Sequence, residues 1–180
     1  MTRGVSIVVA VHYPSLGIGF QGRLPWKIPE DMKFFQQITT ATDAAGTKNA
    51  VIMGRKTWES IPEKFRPLKD RLNVVLTSNP EATFPAGILS ACTLQDALQK
   101  AQDKDLNGGI DVGKVLVIGG AALFSECMVS QLCERIYLTE VFGETEAFRH
   151  FDTFFPVIPA TEYAMVYRGA IQQSGDARFR

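Results

Sequence analysis

An α/β fold with a mostly parallel sheet and helices on both faces is what this 180-residue sequence predicts, and three features carry the prediction. β-Branched runs with little alternation recur along the chain, as expected of strands covered on both faces. Helix-like stretches separate them, and glycines stand where several strands hand over to a helix.

The first run is Val5 to Val11, and its character returns in Ala50 to Met53, Leu72 to Leu76, Val115 to Ile118 and Ile136 to Val141. Helices are expected at Pro29 to Thr39, Leu94 to Gln102 and Ala121 to Met128, and another opens at Arg55 after the strand ending in Gly54. Pro29 suits a first helical turn, and Glu30 and Asp31 follow where the helix dipole favours acids. Thr93 is a cap for its helix, with Asp96 placed to reach back to the Thr93 amide. Tyr13 to Lys27 and Asn79 to Ala86 read as loops, while Tyr163 to Arg168 and Ala177 to Arg180 read as two short strands. The last strand stops abruptly on Arg180, which reads as a cut end.

The length fits one domain over residues 1–180, and with 46% apolar and 21% charged residues the composition is that of a globular protein. Such a chain buries roughly 70% of its unfolded surface and needs neither metal nor disulfide to hold a core. Nineteen basic residues balance nineteen acidic ones, which argues against a polyanion as main partner. The balance is uneven, however: residues 1–71 carry eleven Lys/Arg against six Asp/Glu. A local excess of that size suits a small anionic ligand. No run approaches the length of a bilayer span, and no signal peptide is visible. Three scattered cysteines without a C-x-x-C pair fit a reducing compartment, so a cytoplasmic location is expected.

Three clusters could carry chemistry. The first runs from Leu16 through Gly17, Gly19 and Gly22 to Trp26, and on from Pro29 to Phe35. Its glycines permit positive φ and close approach to a ligand, although a plain surface turn uses them too. Asp31 follows among Trp26, Ile28, Met32, Phe34 and Phe35. An acid there is either a solvated or capping side chain or, if buried, one with a raised pKa that binds or relays protons. The second cluster, Val117 to Phe124, is a strand, a diglycine and a helix whose amides can attract phosphate, but it matches neither G-x-G-x-x-G nor the P-loop. The third, Val51 to Pro62 followed by Phe65 to Arg71, opens its helix on Arg55 and Lys56. Cations there oppose the dipole, a local conflict expected of a functional site, though a solvated charged face is the ordinary alternative. His12 and His150 lack partners at metal-ligand spacing and are expected to be non-catalytic; the twelve Phe residues are expected mostly in the core.

In this order the clusters resemble dihydrofolate reductase, through Leu16-Gly-Ile-Gly, Leu24-Pro-Trp26, Glu30-Asp31, Val51 to Pro62, Phe65-Arg-Pro-Leu68, Arg71, Ile118-Gly-Gly120 and Asp152-Thr-Phe-Phe-Pro156. The resemblance covers nearly the whole chain, and the stretch from Pro62 to Leu68 is similar to eukaryotic members. It implies a three-layer fold with a mixed, mainly parallel eight-stranded sheet flanked by four helices. It also implies NADPH-dependent reduction of 7,8-dihydrofolate to tetrahydrofolate, with hydride transfer to C6 and protonation of N5, in support of one-carbon metabolism. Antifolates would bind the same site.

By the same resemblance, Asp31 grips the pterin and promotes protonation, Thr139 hydrogen-bonds this acid, and Trp26 and Leu24 complete the catalytic group. Val8, Val9, Phe35, Ile61, Leu68 and Ile118 would line the substrate, and Arg71 would clamp its glutamate carboxylate, a bidentate task that Lys cannot reproduce. The nicotinamide and pyrophosphate would lie along Ala10, Gly17, Ile18, Gly19, Gly22, Arg23, Gly54, Gly119, Gly120, Ala121, Ala122, Leu123 and Phe124. Arg55, Lys56, Thr57, Thr77 and Ser78 would surround the adenosine 2′-phosphate, and Leu76 would also line the cofactor. No metal is implied.

Two residues depart from the family pattern: Phe124 stands where Tyr is usual, and Ser78 where some members have Arg. The short final strand implies a trimmed chain or the reductase portion of a fused reductase–thymidylate synthase; a free-standing chain is expected to be a monomer. Rival readings are the pyrimidine reductase of riboflavin synthesis on the same fold, and a non-catalytic folate-binding module.

Overall fold

The structure, a computed structural model, describes residues 4–144 and 146–180. In chain order the elements are β1 (Val5–His12), β2 (Gly17–Gly19), α1 (Pro29–Thr40), β3 (Lys48–Gly54), α2 (Arg55–Ser60), β4 (Arg71–Leu76), β5 (Ile88–Ala91), α3 (Leu94–Gln102), β6 (Val112–Gly119), α4 (Ala121–Val129), β7 (Cys133–Phe142), β8 (Thr153–Phe154), β9 (Gln172–Ser174) and β10 (Ala177–Phe179), with 3₁₀ turns at Glu63–Phe65 and Glu146–Phe148. Eight strands form the main path, β5-β4-β3-β6-β1-β7-β10-β9, with the short β2 and β8 off it. β1, β3, β4, β5, β6 and β7 pair in parallel, while β10 meets both β7 and β9 antiparallel. The expected mixed, mainly parallel sheet with four helices is therefore the fold.

Four local expectations need correction. Tyr163 to Arg168 forms no strand: β10 pairs with β7 at Val141 and Phe142, and the segment is held by side chains instead of a ladder. Tyr163 Oη donates to Cys133 O at 3.2 Å, and Arg168 Nη2 to Glu140 at 3.3 Å. The presumed loop from Tyr13 to Lys27 contains β2, which pairs with β8. Asp96 accepts from Cys92 N at 3.1 Å, not from the Thr93 amide, although Thr93 caps α3 as expected by accepting from Asp96 N at 3.0 Å. Only Phe124, Phe148, Phe155 and Phe179 of the phenylalanines are buried, because several others, Phe20, Phe34, Phe65 and Phe154 among them, lie exposed.

The two faces of the sheet are packed differently. Beneath α3 and α4 one continuous core joins Ile7, Val11, Ile52, Val74, Val115 and Val117 to Leu94, Leu98, Leu123, Phe124 and Cys127. Each fully buried aliphatic side chain there contributes about 1.5–3 kcal/mol. On the opposite face the core is broken in two. Ile28, Val141, Phe148 and Phe179 form one cluster, and Val51, Met53, Trp58 and Val75 another. Helix α1 lies on this face, and its only buried residues are polar, Asp31 and Thr39. The helix is tied down instead by buried Asn49, whose Nδ2 donates to Thr39 O at 3.0 Å and Ala41 O at 2.9 Å while its Oδ1 accepts from Lys114 N at 2.9 Å.

Candidate active site

Asp31, Phe35 and Thr39 stand four residues apart on α1, so they share one stripe of the helix. At 1.5 Å per residue, the stripe spans about 12 Å from acid to threonine. Asp31 is only 8% exposed. Burial pushes its pKa above the ordinary carboxylate value, and a hydrogen bond from the Thr139 hydroxyl pulls it partly back. Thr139 is itself buried and pairs with Ala10 in the β1–β7 ladder, which aims both at the α1 face. The solvated alternative for Asp31 is thus excluded. Met32 and Phe34 do not cover it, since both are exposed; helix face and sheet do.

Packed against the Ile28, Val141, Phe148 and Phe179 cluster, Trp26 carries in Nε1 a buried donor with no acceptor among the described residues. Leaving such a group unpaired costs roughly 1–3 kcal/mol, which marks it as a donor meant for something the site receives. At the other end of the stripe Arg71 Nη1 donates to Thr39 Oγ1 at 2.7 Å and its Nε to Lys69 O at 2.8 Å. Partial burial pulls the guanidinium pKa below its usual value, and no acidic side chain among the described residues lies within ion-pair distance. Phe35 is half-buried, and Ile61, Leu68 and Ile118 edge the Trp58 cluster. The stripe therefore offers an acid and an apolar midsection, and fastened to its far end a cation without an ion pair among the described residues.

Strand-end geometry supplies a second subsite. In parallel sheets ligands gather beyond the carboxyl ends of the strands. Gly54 pairs with Leu76 at the ends of β3 and β4, so Arg55, Lys56 and Thr57 emerge beside Thr77 and Ser78. Gly119 closes β6 with φ +136°, and a Cβ there would sit 3.0 Å from Thr57 Oγ1. Gly120, joined to Gly119 by a cis peptide bond, caps α4 with no side-chain hydrogen bond, leaving bare backbone at the helix start. Arg55 is paired with Glu59 at 2.6 Å.

The remaining predicted residues sort by face. Val8 and Ala10 share the α1 face, whereas Val9 and Ile18 pack toward the α3/α4 core. Leu123 and Phe124 are buried in that core too, Phe124 edge-on to Phe155 at 5.1 Å, so only the backbone of α4 can face a ligand there. Leu24, Arg23, Gly22, Ala122 and Ser78 are exposed. Of the three loop glycines only Gly22 has positive φ. Gly17 is required for another reason: a Cβ would fall 2.2 Å from the Phe151 ring. Two functional residues lie outside the sequence expectation: Thr39, signalled only by its i+8 spacing from Asp31, and Asp152, which accepts from Gln21 N at 2.7 Å and pins the glycine-rich segment.

The family model "Dihydrofolate reductase" matches residues 4–179. The chain is 39% identical to dihydrofolate reductase of Candida albicans over 85% of its own length and 77% of the relative's, and 38% identical to that of Bos taurus over 92% and 86%. A bifunctional dihydrofolate reductase-thymidylate synthase of Glycine max is 37% identical over 99% of this chain and 33% of that protein. Among solved structures, Schistosoma mansoni dihydrofolate reductase superposes with a TM-score of 0.83 at 34% identity, covering 100% of this chain and 96% of that one.

Proposed function

The chain belongs to the dihydrofolate reductase family, and on that premise we propose that Asp31 and Phe35 of α1 receive the pterin ring and the benzoyl linker of the substrate, and Arg71, at the start of β4 and bonded to Thr39, its glutamate tail. The activity is NADPH-dependent reduction of 7,8-dihydrofolate to 5,6,7,8-tetrahydrofolate, with hydride arriving at C6 and a proton at N5. The observation that carries the residue assignment is the single helical stripe with a buried acid at one end and, about 12 Å along it, Thr39 bonded to a half-buried arginine that has no ion pair among the described residues.

Asp31 keeps a proton at pH values where an exposed carboxylate has lost it, because burial disfavours its charged form. It binds the amino-group edge of the pterin and promotes protonation of N5. A charge pair formed in so dry a site is stronger than in water. Thr139 orients the carboxyl group, and Trp26 Nε1 offers its unpaired hydrogen on the same side. Phe35, Ile61, Leu68 and Ile118 exclude water from the ring faces, while Arg71 takes a tail carboxylate through Nη2 and the remaining Nη1 hydrogen, Thr39 and Lys69 O accepting from Nη1 and Nε.

NADPH fits the strand-end subsite because the cradle is bare backbone: Gly54, Gly119 and Gly120 meet under Thr57, where any Cβ at Gly119 would intrude. The α4 amides would hold the pyrophosphate, and Arg55, Lys56, Thr77 and Ser78 the 2′-phosphate. When bound, the cofactor supplies the hydride; the protein holds the two reactants face to face. We further infer a cytoplasmic protein, monomeric unless joined to a thymidylate synthase domain, whose site also admits antifolates. Titration of the purified protein with 2′,5′-ADP and with folic acid tests the two subsites: independent saturable binding of each is expected, and mutual exclusion would refute the arrangement.

A further inference from the structure

We propose that His12 is a positioning residue that sets where the glycine-rich segment rests and, through Phe148, the plane in which Trp26 lies; this rests on the reading of that segment and Trp26 as a wall of the active site. His12 is the last residue of β1, immediately before the exposed Tyr13, Pro14 and Ser15, yet its side chain is buried. Phe148 and Phe151 both stack against it at centroid distances of 5.1 and 5.2 Å, with planes within 24° of parallel. Trp26 continues the stack on Phe148 at 6.1 Å and 19°. Two glycines make room for these rings: a Cβ at Gly17 would meet Phe151 at 2.2 Å, and one at Gly143 would meet Phe148 at 2.2 Å.

The imidazole edges are used as fully as the faces. Nε2 lies 3.1 Å from Gly143 O, which can only accept, so the ring carries its hydrogen on Nε2. Nδ1 is hydrogen-bonded to the Ser15 hydroxyl at 2.8 Å, and the Ser15 oxygen accepts from Gly17 N at 3.2 Å. One continuous chain of hydrogen bonds thus joins Gly143, the first residue after β7, to the first residue of β2. An imidazole combines a stacking surface with hydrogen-bonding capacity at both ring nitrogens. Phe would keep the faces and lose the edges; Asn would keep an N–H for Gly143 and lose the faces.

The test measures single-turnover hydride transfer and the dissociation constants of NADPH and 2′,5′-ADP for the parent, His12→Phe, His12→Asn and Ser15→Ala. A misplaced active-site wall lowers a rate by up to 100-fold. We expect about tenfold slower transfer and about fivefold weaker NADPH binding in both His12 variants, with 2′,5′-ADP binding unchanged because it never touches the segment. Ser15→Ala, a change at an exposed residue that decides the matter if the His12 variants do not fold, should move the same two quantities by about threefold. A purely structural role would lower thermal stability and leave the ratio of NADPH to 2′,5′-ADP affinity at its parental value, which would overturn the proposal, as would parental hydride transfer in the variants. A parent protein that binds neither nucleotide would overturn the underlying reading and the proposal with it.

Discussion

Arg71 donates to the Thr39 hydroxyl at 2.7 Å, and that hydroxyl donates in turn to Phe35 O at 2.7 Å. The cation is thereby fastened to the same helix that carries Asp31, and the separation between the two is set by helix geometry. Replacing Arg71 by Lys removes the planar fork and should weaken folates bearing a glutamate tail by about 10- to 100-fold, a loss of roughly 1.4–3 kcal/mol. Small pterins without that tail should bind as before. Calorimetric titration with both ligand types checks this; equal losses would speak against a carboxylate clamp.

Asp31→Asn separates stability from activity. A carboxyl group whose folded pKa lies above its unfolded value binds more protons in the native state, so stability falls as pH rises from the ordinary carboxylate range through the raised folded pKa. Asn carries no such charge. The variant should therefore melt at a higher temperature than the parent at pH 8, with the difference shrinking toward pH 4, while it loses turnover. Thermal scans across that range measure it, and a variant less stable at pH 8 would contradict the burial assigned to Asp31.

Gly17→Ala tests whether ring packing, and not ligand approach, dictates this glycine. Its Cβ would lie 2.2 Å from Phe151. Overpacking of this kind costs about 1–3 kcal/mol. Urea unfolding should show a lowered midpoint with an unchanged slope.

Much of the fold was legible because strand and helix signals here are local. Leu94 to Gln102 matches α3 residue for residue, and Pro29 with its following acids marks the start of α1. The strands β5 and β9 were not legible: they are three or four residues long and exist through pairing with β4 and β10, which no local pattern encodes. Asp31 could be singled out but not shown to be buried, since its cover comes from Thr139, 108 positions away in the chain, and from the break between two core clusters. His12 was dismissed for want of a metal partner; its partners are two rings more than a hundred residues away.

Gly119→Ala should disable the cofactor subsite. The residue sits at φ +136°, where an L side chain is strained by roughly 1–3 kcal/mol, and its Cβ would press on Thr57 Oγ1. NADPH affinity should fall at least tenfold while folic acid binding persists, which fluorescence titration of each ligand can read.

The central claim is that the buried Asp31 carboxyl drives protonation of the substrate. Stopped-flow hydride transfer from NADPH to dihydrofolate, followed from pH 5 to pH 9 in the parent and in Asp31→Asn, tests it most directly. The parent rate should fall as pH rises through the raised pKa of this acid, and the Asn variant should be slower by about 100-fold or more with no inflection in that range. A variant that transfers hydride at the parental rate, or that keeps the parental inflection, would contradict the claim.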